Sequence, residues 1–193
     1  MSSDNQYDLI VLGGGYVGLE LAQPMRRFGS RVTVVEQAPQ LVAREDGDVG
    51  QALLQLFEDE GIDVLLNAEA LEVEGRSGET LRLRIGTPAG TQTIEGSDIL
   101  VAAGRTPNTK EIGLDTAGVE LDDRGYVKVN ERLETTAPDV WAVGDCAGSP
   151  QFTHAAFDDS ASSGITSAEA RARREIVWCR SACLPIPSSD GSA

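Results

Sequence analysis

Residues 7–36 read YDLIVLGGGYVGLELAQPMRRFGSRVTVVE, an apolar run, three consecutive glycines, a helical pattern and a second apolar run closing on a glutamate. YDLIVLG predicts a short, fully buried strand of the kind found in parallel sheets covered on both faces. Gly13, Gly15 and Gly18 then give G-x-G-x-x-G. In that pattern the first glycine permits a tight turn, the second lets backbone approach an anionic group, and the third lets helix pack close to strand. Val17, Leu21, Met25 and Phe28 recur at helical spacing, and Gly29 is a fitting stop. RVTVVE predicts the next strand. One residue opposes the pattern: Pro24 inside the helix removes the bond to the Glu20 carbonyl, at a cost of about 3 kcal/mol or a kink.

A glycine turn can serve packing alone. Here strand, helix, second strand and a terminal acid stand in register, so the segment predicts dinucleotide binding, with Glu36 accepting hydrogen bonds from an adenosine ribose. The rest of the domain follows in order. DVGQALLQLFEDEG places Val49, Leu53, Leu56 and Phe57 on one helical face, with Gly61 ending it. IDVLLN is a third buried strand. The period then changes to two, as Leu71 and Val73 alternate with Glu72 and Glu74, and Leu81, Leu83 and Ile85 with Arg82 and Arg84. These predict a hairpin whose Glu and Arg faces pair across strands. TQTIE supplies a third short strand and DILVAAG a final buried one. The expected fold class is α/β, a doubly wound Rossmann-like parallel sheet with a three-stranded meander.

Composition narrows the partners. The 193-residue chain carries 31 acidic and 16 basic residues, a net charge of −15. Such a surface repels phosphate backbones and anionic lipid, which argues against nucleic acid or a membrane as partner. No apolar run reaches the roughly 20 residues of a membrane span, and MSSDNQ lacks the positive start of a signal peptide. Three cysteines, Cys146, Cys179 and Cys183, make no disulfide framework, which suits the cytoplasm.

GGGYVGLELA, VTVVE, LVAAGRTPN and TTAPDVWAVGDCA, in that order, resemble the FAD-dependent pyridine nucleotide–disulfide oxidoreductases, the family of lipoamide dehydrogenase, glutathione reductase and mercuric reductase. The resemblance covers about residues 8–159. It implies an NAD(P)-binding domain over 7–104, a returning segment of an FAD-binding domain over 105–159, and a divergent, poorly ordered tail over 160–193. By this resemblance Gly13, Gly15 and Gly18 hold the pyrophosphate and Glu36 the ribose. A carboxylate there repels a 2′-phosphate, and Gln37 and Ala38 are not basic, so NADH is expected over NADPH; Arg44, further on, is a cation that could in principle reach a phosphate. Tyr16 matches the tyrosine that lids the flavin, and Glu20 the glutamate beside the nicotinamide–flavin stack, where composition alone reads a solvated helix residue. Gly104 lies at the turn passing the cofactors. Gly144 clears space while Asp145 binds the flavin ribityl chain. Thr153, His154 and Ala155 begin a helix whose amides face the flavin pyrimidine edge. His154, the lone histidine, is assigned no role as a base.

The resemblance also implies parts that this sequence does not match. A first FAD-binding βαβ unit with its own glycine motif and a Cys-x4-Cys pair is expected ahead of Tyr16, and a dimer-interface domain after FTHAAFDD. MSSDNQYDLIVLGGG itself looks like the start of that first unit joined to the NAD domain at the shared glycines. Charge changes where the resemblance stops, from −16 over residues 1–159 to +1 over 160–193. Cys179 and Cys183 lie four apart on an expected helix; two thiols do not close a zinc site, and they read as incidental. Two functions stay open: a flavin-dependent oxidoreductase moving hydride between NADH and FAD, or a non-catalytic dinucleotide-binding fragment, monomeric or irregularly associated. Without a thiol pair beside the flavin, efficient disulfide reduction by the chain alone is not expected.

Overall fold

The computed structural model describes residues 6–162 and 175–178. The chain divides into two compact units, Met1–Gly104 and Arg105–Ala193. The first runs β1 (Gln6–Leu12), α1 (Tyr16–Arg27), β2 (Val32–Val35), α2 (Gly47–Asp59), β3 (Asp63–Leu65), β4 (Glu69–Gly75), β5 (Leu81–Thr87) and β6 (Gly90–Val101). All six strands share one sheet in the order β3-β2-β1-β6-β5-β4. The pairs from β3 through β6 are parallel, and those from β6 through β4 antiparallel.

Side-chain alternation along the strands sorts the interior into two layers. Val11, Val32 and Val34 meet Leu19 and Ala22 of α1 and Phe57 of α2 on one face. On the other, Ile10, Leu12 and Val35 meet Leu81, Leu83, Ile85 and Ile94. Both helices therefore cover one face, and the meander covers the second. Two expected strands, TQTIE and DILVAAG, are one continuous strand, β6. Its Glu95 and Gly96 are held from both sides, by Gln6 and Tyr7 of β1 and by Arg82 and Leu81 of β5. EGSD reads as a break in the sequence, yet with a strand on each flank its backbone stays extended. Gly96 is small for a reason, since a Cβ there would sit 3.0 Å from the Ile10 side chain.

The expected face is displaced on α1 and holds in part on α2, where Leu53 and Phe57 do face the core. On α1, Val17, Met25 and Phe28 are exposed, Phe28 by 82%, while Gly18, Leu19 and Ala22 are buried. On α2, Val49 and Leu56 are exposed, and Gly50 and Phe57 are buried with Leu53 and Leu54 packed alongside. Close approach decides the phase in each case. A Cβ on Gly18 would fall 2.0 Å from the Gly13 carbonyl oxygen, and one on Gly50 would fall 3.0 Å from that of Leu41. On α1 the glycine sits against the turn and β1, and on α2 against the loop at Gln40 and Leu41, where larger side chains leave no room. Pro24 is accommodated within α1, which continues to Arg27, and the amide of Phe28 still donates to the Pro24 carbonyl at 2.8 Å.

Cross-strand charge pairing on the meander follows the alternation in part. Arg84 bonds Glu72 with Nη2–Oε2 at 2.6 Å, whereas Arg82 reaches Glu95 of β6 at 2.8 Å. Leu71 and Val73, on the sheet's outer strand, stay exposed.

The second unit holds β7 (Val140–Val143), a 3-10 turn (Gly144–Ala147), α3 (Thr153–Ser162) and β8 (Glu175–Trp178). Leu114, Val119, Val127, Ala142 and Cys146 form its core. Cys146 is fully buried, its thiol donating to the Val143 carbonyl at 3.4 Å, which fits a packing role. Residues 175–178, expected as helix, instead pair parallel with β7 as β8. Ile, Val and Trp are strand formers, and the open ladder of β7 gives them partners. Cys179 and Cys183 lie outside the described residues. Among the described residues no helix is long and apolar enough to cross a membrane.

Two outcomes are expected. Phe57→Ala should cost about 3–5 kcal/mol in denaturant unfolding, and Phe28→Ala no more than about 0.5 kcal/mol; equal losses would place α1 in the phase its apolar spacing suggests. Tyr7 donates to Asp63 Oδ2 at 2.9 Å, and partial burial together with that carboxylate pushes its phenol up to about 12. The folded state thus holds the proton more tightly than the unfolded chain, where tyrosine titrates near about 10. Its stabilising contribution is complete below about pH 10 and lost as pH rises towards about 12. Tyr7→Phe should flatten the stability profile over that alkaline window, and an unchanged slope would refute the assignment.

Candidate functional site

The glycine turn joins β1 to α1, and contact distances explain each glycine. Gly13 has φ +107°, and a Cβ on it would lie 2.5 Å from the Ala102 carbonyl oxygen at the end of β6. Gly18 has the approach to Gly13 already given. Around Gly15, by contrast, a Cβ would meet nothing within 4 Å. Two glycines thus serve packing, and the middle one faces open space. Gly15 is also the N-cap of α1, with no side-chain cap and no acidic residue in the first turn. Uncapped amides at a helix start and the positive end of its dipole favour an anion.

Glu36 lies at the end of β2 beside this turn. Its Oε2 accepts from the Gly14 amide at 2.6 Å and its Oε1 from the Ala38 amide at 2.7 Å. Two backbone donors fix the carboxylate's orientation at the turn's edge. Tyr16 opens α1, 42% exposed, and its hydroxyl donates to Glu45. That carboxylate pushes the Tyr16 phenol above its ordinary value. Glu20 is half-buried one turn further along, four residues after Tyr16 and so on the same side of α1. Arg44 is exposed in the loop between β2 and α2. Gly13, Gly15, Gly18, Tyr16 and Glu36 are therefore one constellation in the first unit. Gly104, exposed with φ +135°, ends that unit.

In the second unit Gly144 has φ +73°, and a Cβ on it would meet the Ala156 Cβ at 2.9 Å. The turn from β7 thus packs directly on α3. The Gly144 amide donates to Asp159 Oδ2 at 2.8 Å. Asp145, 17% exposed, pairs with Arg105 Nη1 at 3.3 Å. Thr153 starts α3; His154, exposed, stacks on Phe152 with ring centroids 5.3 Å apart, and Ala155 is half-buried. Gly144, Asp145 and the start of α3 form a second cluster.

Several participants escape the sequence pattern. Gly14, Glu45 and Asp159 enter through folded proximity, and no spacing rule points to them. Arg105 sits within GRTPN, where its neighbours carried the signal. Among the described residues there is no group of three or more His, Cys, Asp or Glu side chains able to hold a metal ion.

Comparisons with known proteins identify the family. The family model described as pyridine nucleotide-disulphide oxidoreductase matches residues 2–160. A dihydrolipoyl dehydrogenase from Thermus scotoductus is 37% identical over 171 residues, covering 88% of this chain and 36% of its own length. A mercuric reductase from Streptomyces lividans is 39% identical over 148 residues, 77% of this chain and 31% of its own. Among solved structures, LpdA from Mycobacterium tuberculosis superposes with a TM-score of 0.73 at 29% identity, covering 90% of this chain and 36% of that one. The HOCl-induced flavoprotein disulfide reductase RclA from Escherichia coli gives 0.70 at 32%, covering 86% and 37%. The chain thus spans about a third of the length of the relatives it matches. With a family model matching residues 2–160, most of its length, the chain belongs to the pyridine nucleotide–disulphide oxidoreductase family.

Proposed function

We propose that the first unit binds a nicotinamide dinucleotide, NADH in preference to NADPH, as part of a flavin-dependent oxidoreductase that moves hydride between NADH and FAD. The observation that carries the cofactor preference is the Glu36 carboxylate, tied by the Gly14 and Ala38 amides beside the turn. Each of its oxygens keeps a lone pair for a ribose hydroxyl, while the negative charge cannot swing away from a 2′-phosphate. The open space at Gly15 and the uncapped start of α1 fit a pyrophosphate.

The dinucleotides supply the redox chemistry, and the chain's residues bind and orient them. Gly13 and Gly18 keep the turn tight, and Gly15 admits the phosphates. Tyr16 lids the flavin until nicotinamide displaces it, and Glu20, one helical turn along, lies beside the nicotinamide–flavin stack. In the second unit, Asp145 offers an acceptor for ribityl hydroxyls, held by Arg105, and Gly144 keeps the turn against α3. The amides at Thr153, His154 and Ala155 face the flavin ring, favouring negative charge there. Gly104 lets backbone pass close to the cofactors. A sequence with three cysteines and no disulfide framework supports a cytoplasmic setting, and the glycine turn supports small dinucleotides as partners.

Calorimetric titration tests the reading. NADH should bind more tightly than NADPH, and Glu36→Ala should lower NADH affinity by about tenfold or more, as expected for loss of hydrogen bonds to a charged group. The same substitution should weaken NADPH less, so the preference narrows. Equal affinities in the unmodified chain would overturn the preference, and no binding of either would overturn the site. The flavin assignment has its own measurement: added FAD should show quenched fluorescence with the chain and less quenching with Asp145→Ala. Quenching that ignores Asp145 would remove that residue from the site.

A further inference from the structure

The glycine turn is gripped from the loop between β2 and α2, at residues outside its motif. Both backbone groups of Gly14 are engaged: its N–H donates to Glu36 Oε2 at 2.6 Å, and its carbonyl accepts from the Val42 N–H at 2.8 Å. Leu41, fully buried, packs so closely that a Cβ on Gly14 would lie 2.7 Å from its Cδ2. Val42, 5% exposed, has φ +42°. For a β-branched residue this left-handed backbone is a genuine outlier. Such strain persists only where the surroundings over-determine it, and it gathers at ligand clamps.

The bond from Val42 has a geometric consequence. The peptide between Gly14 and Gly15 is trans, so its carbonyl and its N–H point in opposite directions. With the carbonyl fixed on Val42, the Gly15 N–H is fixed facing away from the loop, at the start of α1. We propose that Val42 is a positioning residue of the dinucleotide site: its left-handed backbone holds the Gly14–Gly15 peptide so that the Gly15 N–H is presented to the pyrophosphate. The inference rests on the reading of this turn as a dinucleotide site. The strained valine thus stands beside three glycines, with its N–H on the Gly14 carbonyl and Leu41 buried next to it.

The full chain, labelled with nitrogen-15, is titrated with ADP, which carries the pyrophosphate, and the amide signals are followed. The Gly15 amide should move downfield as it gains a phosphate acceptor, while the Val42 amide, whose acceptor is unchanged, should stay. Val42→Gly keeps the N–H and relaxes the backbone, so NADH affinity should remain within about twofold even if the melting temperature falls. Val42→Pro removes the donor and imposes negative φ, and should weaken NADH by about tenfold or more, the loss of one hydrogen bond to a charged group. Val42→Pro binding NADH as tightly as the unmodified chain would overturn the proposal. So would a stationary Gly15 amide in a chain that binds ADP. If Val42→Pro does not fold, the amide pattern of the unmodified chain decides alone. If neither ADP nor NADH binds or moves any amide from Gly13 to Gly18, the dinucleotide reading falls, and this proposal with it.

Discussion

The contact between Gly13 and the Ala102 carbonyl, with Gly18 seated on the Gly13 carbonyl, organises the first unit. Three chain segments meet there, the end of β1, the start of α1 and the end of β6. The Gly13 amide donates to Val35 at 2.9 Å and the Ala102 amide to Leu12 at 2.7 Å, so β2 and β6 are tied to the same turn. Any side chain larger than hydrogen at Gly13 or Gly18 meets backbone, which has nowhere to move. From this junction follow the phase of α1, the height of the helix above the sheet and the position of the uncapped amides.

β6 carries that order across the unit. One half of it is a parallel partner of β1 and the other an antiparallel partner of β5, so the same strand belongs to the nucleotide-type sheet and to the meander. The meander's Leu83 and Ile85 fill the sheet face that the helices leave uncovered. Of the meander's salt bridges, Arg84–Glu72 is exposed at both partners and Arg82–Glu95 at the arginine, and exposed pairs contribute about 0–1 kcal/mol each. The buried apolar layer does most of the holding, and the charges keep the outer face soluble.

Reading by period worked where one face dominates and failed where a glycine intervenes. The alternation of Leu81, Leu83 and Ile85 with Arg82 and Arg84 placed β5 correctly, because a strand with one buried face leaves a plain signal. The stripe Val17, Leu21, Met25 and Phe28 is as regular, yet α1 buries Gly18, Leu19 and Ala22. Hydrophobic spacing weighs side-chain size, whereas close approach selects for its absence, so the smallest residues won the interface. EIVW misled for a different reason: preceded by ARARR in a helical pattern, it became β8 by pairing with β7.

In the sequence by itself, local patterns of size, period and charge carried the order of elements as far as β5, the glycine turn and the glutamate that closes β2. The sequence also determined the family, whose motifs are contiguous strings. Only tertiary structure decided which helix faces are buried, that β6 is one strand serving two partners, and that Glu36 is tied by two amides. It alone brought Val42 to the Gly14 carbonyl, Glu45 to Tyr16 and Asp159 to the Gly144 amide. Each of these depends on where segments distant in sequence come to rest. A hydrogen bond between residues 28 positions apart leaves no mark on the composition or spacing of either.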